Sequence, residues 1–261
     1  MRIDFHTHAK LTKKVPFSED YTKSNFRDAK MSGLDAICVT EHYDSSQIDL
    51  VYQYIRSNLE KEGDCYIYDG LKIFIGIEVD IAESGHIVVI GPLDEIAELY
   101  KDYYERGKKK DHPTFDQLIN VIKRPSLLIG AAHPFRDEEG CVLRIDDNKI
   151  KHLNYVELSG NDLAHDTDHI YKQTQSLAKR VGLPMVMGSD THQSFQYGCV
   201  YNQFEKEHVT VGSLKKAIDE GAFSLVHSEF GSRQVKMASK MKKALIKIYD
   251  LNGDYVSIVA K

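Results

Sequence analysis

The sequence lacks three features that would each have assigned it to a broad class. Its 261 residues contain only four cysteines and no C-x-x-C pair, so neither a disulfide framework nor a thiolate zinc site is expected. The longest apolar runs, such as residues 87–90, are far too short to span a bilayer. The formal net charge is −5, so the chain as a whole has no electrostatic attraction to nucleic acid.

Two further absences concern targeting and domain boundaries. The first residues enter an apolar run without the basic, apolar and small-residue pattern of a secretory signal, so a cytoplasmic protein with free thiols is expected. No long segment rich in Pro, Gly or Ser divides the chain, which favours a single domain over residues 1–261. Residues 229–261 are expected to add a helix and then a final hairpin against the rest of the domain, or else to pack on a partner subunit. The sequence does not determine the oligomeric state.

Short apolar runs alternate with helical patterns along the chain. Strands are predicted at residues 2–5, 36–40, 72–79, 86–90, 127–132, 155–158 and 185–187. Helices are predicted at residues 21–32, 46–62, 93–106, 115–123, 167–181 and 211–220. Because these strands are almost continuously apolar, the alternation predicts a parallel sheet covered by helices.

Histidines and acids are concentrated at the ends of these predicted strands, where reactive groups collect in such folds. His6 and His8 are two residues apart on an extended strand, so their imidazoles point to the same face. With Glu78 and Asp190, six of the twelve histidines lie at or near strand ends: His6, His8, His42, His86, His133 and His192. This pattern predicts a metal centre.

The chemistry of these side chains narrows the choice of ion and reaction. Imidazole and carboxylate ligands without thiolates suit divalent Mn, Fe or Zn. Eight candidate ligands are too many for one ion. Two or three divalent ions that share a bridging carboxylate would hold a phosphoryl group and lower the pKa of a bound water. The composition of the centre therefore favours hydrolysis of an anionic ester.

Six short motifs resemble those of the PHP (polymerase and histidinol phosphatase) superfamily of metal-dependent phosphoesterases, and they occur in that family's order. The motifs are DFHTH at residues 4–8, VTEHYD at 39–44, GIEVDI at 76–81, GHIVVIG at 85–91, AAHPFR at 131–136 and GSDTH at 188–192. The resemblance implies an α/β fold, a distorted seven-stranded TIM-like barrel with a metal site at its carboxyl-end rim.

The resemblance also implies a distribution of ligands. Those implied for the first ion are His6, His8, Glu78 and Asp190. Those implied for the second are Glu78, as a bridge, with His86 and His133. His42 and His192 match ligands of a third ion, but residues 9–15 contain no His or Asp where the family pattern expects one. Glu19 or Asp20 is a candidate for the missing ligand.

Four residues are candidates for a catalytic role. Asp190 and His192 lie in the last motif, and His192 or a bound water is expected to protonate the leaving alkoxide. Arg136 is placed to fork onto a phosphate oxygen. Glu41 stands where the family usually has aspartate, and it orients a ligand histidine, accepts a proton or is an ordinary exposed acid.

Other charged residues near the motifs are expected to have supporting roles or none. Asp4 and Asp80 are better candidates for contacting a ligand than for binding an ion. Lys10, Lys13 and Lys14 in the first loop either add charge to the site or are solvated, and solvation is favoured.

The predicted function is hydrolysis of phosphate esters, most simply a phosphomonoesterase on a small phosphorylated metabolite such as histidinol phosphate. One alternative is a phosphodiesterase or exonuclease, so nucleic acid remains a possible partner that the acidic net charge disfavours. An amidohydrolase barrel shares the His-x-His start, but the Glu78 and His86 pair favours the phosphoesterase. A non-catalytic, metal-binding regulatory module is the remaining alternative.

Overall fold

The computed structural model describes residues 1–104, 112–136 and 145–260. Its strands are β1 (Arg2–Thr7), β2 (Ala36–His42), β3 (Glu60–Glu62), β4 (Cys65–Tyr68), β5 (Leu71–Ile81), β6 (Gly85–Gly91), β7 (Leu128–Ala131), β8 (Tyr155–Ser159), β9 (Met185–Gly188), β10 (Val200–Phe204) and β11 (Phe223–His227). Its helices are α1 (Glu19–Met31), α2 (Ile48–Asn58), α3 (Leu93–Tyr104), α4 (Phe115–Ile122), α5 (Asp147–Ile150), α6 (Gly160–Leu163), α7 (Thr167–Val181), α8 (Val211–Asp219), α9 (Gly231–Asp250) and α10 (Val256–Val259).

One sheet curls into a nearly closed barrel. The strand order is β11-β10-β1-β2-β5-β6-β7-β8-β9, so seven strands lie on the path from β1 to β9. The two ends of that path meet through a bridge between Thr7 and Thr191. Around this bridge the amide of His8 donates to the carbonyl of Thr191, and the amide of Asp190 donates to the carbonyl of His6, both at 2.8 Å. The predicted TIM-like α/β barrel is therefore confirmed.

The prediction of a parallel sheet is wrong for β6. This strand runs antiparallel to both β5 and β7, whereas β1, β2 and β5 pair in parallel, as do β7, β8 and β9. Only residues 82–84 join β5 to β6, and Ser84 has a φ of 71°. Such a short turn allows an antiparallel hairpin, whereas a parallel crossover needs a dozen or more residues. The reversal brings the first residues of β6 to the rim where the other strands end.

Some predicted element boundaries are also wrong. The helix predicted over 46–62 ends at Asn58, and β3 pairs with β4 directly after it. Strands β10 and β11 were not predicted, and β10 runs antiparallel beside β1. Within residues 229–260 the final hairpin is not formed, because residues 246–249 continue α9 and α10 follows a short turn.

Alternation along the strands separates two apolar layers. In β2, Ile37 and Val39 pack into the larger core beneath the helices, whereas Cys38 packs into the core inside the barrel. In β5, Ile75 faces the helices and Phe74 faces the barrel interior. Even-numbered positions of both strands therefore face inward. Continued to the strand ends, the same alternation turns His42 and Glu78 towards the mouth of the barrel.

Two expectations from composition can be compared with the structure. Within the described residues, no helix combines the length and apolar character needed to cross a membrane. Cys38, Cys65 and Cys199 are free, buried thiols, and Cys141 lies outside the described residues.

Candidate metal centre

The structure brings all eight sequence-predicted metal ligands together at one end of the barrel. They come from the ends of parallel strands, from the start of the reversed strand β6 and from the segments that follow β1, β7 and β9. These residues are His6, His8, His42, Glu78, His86, His133, Asp190 and His192. Residues from position 6 to position 192 thus form one cluster, as the strand-end argument predicts.

Glu78 lies at the centre of this cluster, and its two carboxylate oxygens face different histidines. Oε1 lies 3.0 Å from Nε2 of His133 and also contacts Nδ1 of His86. Oε2 lies 2.9 Å from Nδ1 of His42 and 3.3 Å from Nε2 of His6. A fully buried carboxylate that faces two groups of ligands has the geometry of a bridge between two cations.

Asp190 supplies the second carboxylate. Its Oδ1 lies 3.0 Å from Nε2 of His8 and 3.7 Å from Nε2 of His6. The ring of His192 stacks on that of His8 with centroids 4.0 Å apart. His8, His42 and His192 each present a ring nitrogen within 4.8 Å of the others. These three histidines form a group that contains no carboxylate.

The arrangement fits divalent cations. Buried Nε2 of His6, Nδ1 of His42 and Oε2 of Glu78 face one another, yet none of them forms a properly directed hydrogen bond. Buried polar atoms without such partners are costly, and a cation among them would satisfy their lone pairs. Mixed nitrogen and oxygen donors without sulfur suit Mn, Fe or Zn rather than copper(I).

The electrostatics of the carboxylates agree with cation binding. Burial alone would raise the pKa of Glu78, but His42, His86 and His6 together hold that pKa well below its usual value. Arg136 and His8 hold the pKa of Asp190 well below its usual value in the same way, despite burial. Both carboxylates are therefore negatively charged at neutral pH, which is the state that binds a cation.

Glu157 belongs to the site, and the sequence analysis did not identify it. Its carboxylate, on β8, is 1% exposed and accepts from Nδ1 of His6 at 3.0 Å. It also accepts from the backbone amide of His133 at 3.0 Å. A carboxylate on Nδ1 fixes that proton there and leaves Nε2 of His6 free for a metal. The signal available in the sequence was an acid inside the otherwise apolar run of β8.

Arg136 contacts three protein side chains at the edge of the centre. Its Nε donates to Asp162 at 2.8 Å, one terminal nitrogen donates to Asp190, and the other donates to Ser159 at 2.9 Å. All three nitrogens of the guanidinium are thus engaged by the protein. Arg136 thus positions Asp190, and because it also lines the cavity next to His86 and His133, its contact with a phosphate stays a prediction.

Glu41 and Asp80 contact ligand histidines, as two of the alternatives from sequence expect. Glu41 is 1% exposed, so the interpretation as an ordinary exposed acid is wrong. Its Oε2 lies 3.7 Å from Nδ1 of His8, and its Oε1 accepts from the amide of Lys10 at 2.8 Å. Asp80 Oδ1 lies 2.9 Å from Nε2 of His86. Both acids are placed to orient imidazoles, and Asp80 also has a ligand atom within 4.8 Å of ligand atoms of His42 and Asp44.

Asp4 supports the site through the backbone. Its Oδ1 accepts from the amides of His6 and Ser189, at 3.2 and 2.9 Å. It therefore ties the end of β1 to the segment after β9.

The first loop and α1 do not supply the missing third-ion ligand. Glu19 and Asp20 are exposed in the first turn of α1. The solvated interpretation is wrong for Lys10, which is buried and donates to Oγ of Ser45 at 2.9 Å. Lys13 is partly buried and pairs with acids of the neighbouring strands, while Lys14 is exposed.

The sequence is similar to a protein family and to two known proteins. A sequence model of the PHP-associated family matches residues 172–223. Two probable phosphatases, from Thermoanaerobacter sp. strain X514 and Thermoanaerobacter pseudethanolicus, are each 25% identical to the chain over 217 residues, which cover 75% of it and 81% of each relative. These matches confirm the resemblance to PHP proteins that the six motifs indicate.

Comparison with solved structures supports the fold. PsfC from Pseudomonas syringae PB-5123 superposes with a TM-score of 0.75 at 21% identity, over 94% of this chain and 98% of that one. A lesion-specific endonuclease from Pyrococcus furiosus superposes with a TM-score of 0.60 at 18% identity, over 86% of this chain and 57% of that one. The barrel is therefore shared with proteins of known structure.

Proposed function

We propose that this chain, which is related in sequence to PHP phosphatases, is a metal-dependent hydrolase of phosphate esters that acts on a small phosphomonoester. The observation that carries the proposal is the position of Glu78 between two groups of imidazoles, with Nε2 of His6, Nδ1 of His42 and Oε2 of Glu78 buried together without hydrogen-bond partners. The cytoplasmic location expected from the sequence is part of the proposal, and the free thiols support it.

The residues of the centre have distinct tasks in this proposal. Glu78 would hold two cations, and Asp190, oriented by Arg136, would hold one of them. Divalent ions supply positive charge that offsets the charge of a phosphate and lowers the barrier to attack at phosphorus. Burial, with the nearby charge of His8, holds the pKa of His192 well below its usual value. A neutral imidazole is a better ligand than proton donor, so we assign His192 to metal binding.

A small substrate is favoured by the space beside the centre and by the names of the relatives. One cavity, of about 320 Å³, lies next to His86 and His133, and a second, of about 430 Å³, lies next to His42 and His192. Both volumes are in the range that holds a metabolite. The two similar Thermoanaerobacter proteins are named probable phosphatases. The endonuclease shares the barrel at 18% identity, so a diester substrate is an outcome that the experiment must distinguish.

The test compares the wild type with Asp190→Asn after anaerobic reconstitution with Mn, Fe or Zn. Asp190 has a φ of 59°, a conformation that asparagine tolerates, so the substitution removes charge and leaves the backbone unchanged. We expect lower metal content by elemental analysis and a larger loss of turnover than the roughly 10- to 100-fold that a supporting residue costs. Asp116→Asn, at an exposed site on α4, is the matched control.

Each result has a defined meaning. Hydrolysis of p-nitrophenyl phosphate well above that of bis(p-nitrophenyl) phosphate supports the monoesterase, and the reverse preference replaces it with a phosphodiesterase. Full activity in metal-saturated Asp190→Asn would show that the assignment of Asp190 is wrong. Metal-loaded wild type without activity on either class of ester would favour the non-catalytic module.

A further inference from the structure

Three N–H groups of Arg136 are engaged by the protein, and Arg136 lines the cavity next to His86 and His133 but not the one next to His42 and His192. Lys242, on α9, is half-buried and faces the cluster, where its charge acts on Asp190, Glu41 and Glu78. Among the residues that the structure describes, no hydrogen bond or ion pair holds its ammonium group. Two other lysines line the same cavity as Lys242: Lys13, which lies 2.8 Å from Asp44, and Lys14, which is exposed.

Lys242 lines a cavity that reaches the metal centre. This cavity of about 430 Å³ is bounded at its inner end by His42 and His192 and on one side by Ile246 and Tyr249 of α9. A ligand in it would contact the imidazole side of the centre, the Lys242 ammonium and a partly apolar wall. Such a lining suits a phosphate group attached to an organic moiety.

Helix α9 holds Lys242 firmly in this position. Leu245, one turn further along α9, is fully buried in a small apolar cluster with Leu11 and Tyr21. At the start of the helix, Gln234 donates to the carbonyl of Tyr197 at 3.2 Å. Because α9 is anchored on both sides of Lys242, only the lysine side chain, and not the backbone, would lose conformational freedom when the ammonium binds an anion.

The charge balance of the site also favours an anion at this point. Cations in the centre would offset the charges of Asp190 and Glu78, so Lys242 would then add a further positive charge to a half-buried place. An ammonium in such a place is stabilised by an anionic partner. Asp250, an exposed residue at the end of α9, also lines this cavity.

We propose that Lys242 binds a non-bridging oxygen of the substrate phosphate in the cavity between α9 and the metal centre. The proposal rests on the proposed function, because it names the residue that binds the phosphate of that substrate. It adds a contact from the C-terminal helix to the one that the sequence predicts for Arg136.

The first experiment measures binding of inorganic phosphate to metal-loaded protein by calorimetry, for the wild type, Lys242→Met and Lys243→Met. Lys243 is exposed and adjacent, so its variant removes the same charge away from the cavity. We expect about tenfold or weaker binding in Lys242→Met, unchanged metal content, and wild-type affinity in Lys243→Met. Equal affinity in all three proteins, or equal losses in both variants, would overturn the proposal. Lys242→Arg should recover part of the affinity, because it restores the charge.

A second measurement uses unaltered protein, so it remains informative if Lys242→Met does not fold. Metal-loaded wild type is acetylated with and without inorganic phosphate, and each lysine is quantified by mass spectrometry. Phosphate should protect Lys242 and leave Lys243 unchanged, and no protection of Lys242 would overturn the proposal.

The two proposals fail in different ways. If wild type hydrolyses monoesters and Lys242→Met keeps the wild-type phosphate affinity and kcat/KM, the role of Lys242 is wrong and the phosphatase stands. If phosphate protects Lys242 but no ester is hydrolysed, the binding role stands and the catalytic proposal fails.

Discussion

At the scale of single residues, the contact between Glu157 and His6 determines which ring nitrogen is available to a metal. Both oxygens of the Glu157 carboxylate lie within 3.1 Å of Nδ1 of His6, and one of them also accepts from the amide of His133. An amide in place of the carboxylate loses the negative charge. It also turns an NH₂ group towards at least one of these two N–H donors.

We therefore predict that Glu157→Gln lowers metal affinity by roughly 10- to 100-fold, the usual cost of losing a carboxylate that orients a ligand histidine. Competition with a fluorescent chelator measures the change. Glu98→Gln is the matched control because Glu98 is exposed on α3, with only a 3.8 Å pair to Arg124. If Glu157→Gln bound metal as tightly as the wild type, the orienting role of Glu157 would be wrong.

The predictable residues are those whose position follows from chain order. Parallel strands end at one rim, so His6, His42 and Asp190 could be grouped without knowledge of the packing. The protein contacts of Arg136 and Lys10 could not be predicted, because their partners come from distant segments: Asp162 for the arginine and Ser45 for the lysine. Lys242 carries no motif, and only the docking of α9 brings it to the centre.

At the scale of secondary-structure elements, the direction of β6 could be predicted from its short connection to β5 but not from its apolar pattern. An apolar strand has the same composition in either direction, so the pattern of residues 86–90 does not indicate whether the strand is parallel or antiparallel to its neighbours. The connection of three residues from β5 was the informative signal. The antiparallel register places His86 opposite Asp80, which explains how a residue at the start of a strand joins ligands at the ends of others.

Gly188, the last residue of β9, lies too close to its neighbours to carry a side chain. A Cβ at Gly188 would lie 2.3 Å from Oε1 of Glu157 and 2.5 Å from Cβ of His6, closer than real atoms approach. Since φ at Gly188 is not positive, any effect of a side chain there comes from packing alone.

We predict that Gly188→Ala destabilises the protein by about 1–3 kcal/mol through overpacking and weakens metal binding by displacing His6. Urea unfolding and metal titration measure the two effects. Gly212→Ala is the matched control, because its Cβ would have nothing within 4 Å and alanine favours helix α8. Wild-type stability and affinity in Gly188→Ala would contradict the close approach of β1, β8 and β9.

At the scale of the whole molecule, the metal centre lies where the barrel closes. His6 and Asp190 are joined by a backbone hydrogen bond across the junction of β1 with the segment after β9. Cations bound there would connect strands that are nearly two hundred residues apart in the chain. Anything that binds the folded state alone stabilises it, by about 4 kcal/mol at a free concentration of 1,000 times Kd.

We accordingly predict that metal addition raises the unfolding temperature by on the order of 10 °C at that excess, since about 1 kcal/mol shifts Tm by roughly 2–4 °C in a chain of this size. Thermal unfolding with and without a chelator measures the shift. The shift should be much smaller in Asp190→Asn and unchanged in Asp116→Asn. An equal shift in all three proteins would place the stabilising ions outside the proposed centre.

The same metal-dependent shift should shrink as pH falls from 8 to 6. Although burial opposes it, the charges of Glu78 and Asp80 raise the pKa of His86 to about 10 in the metal-free protein. His86 therefore carries a proton throughout this range, and a cation that binds the ring must displace it. Each displaced proton weakens metal binding by about 1.4 kcal/mol for every unit that pH decreases. Calorimetry in buffers of different ionisation enthalpy would count the released protons. A metal affinity that did not change with pH would show that His86 is not a ligand.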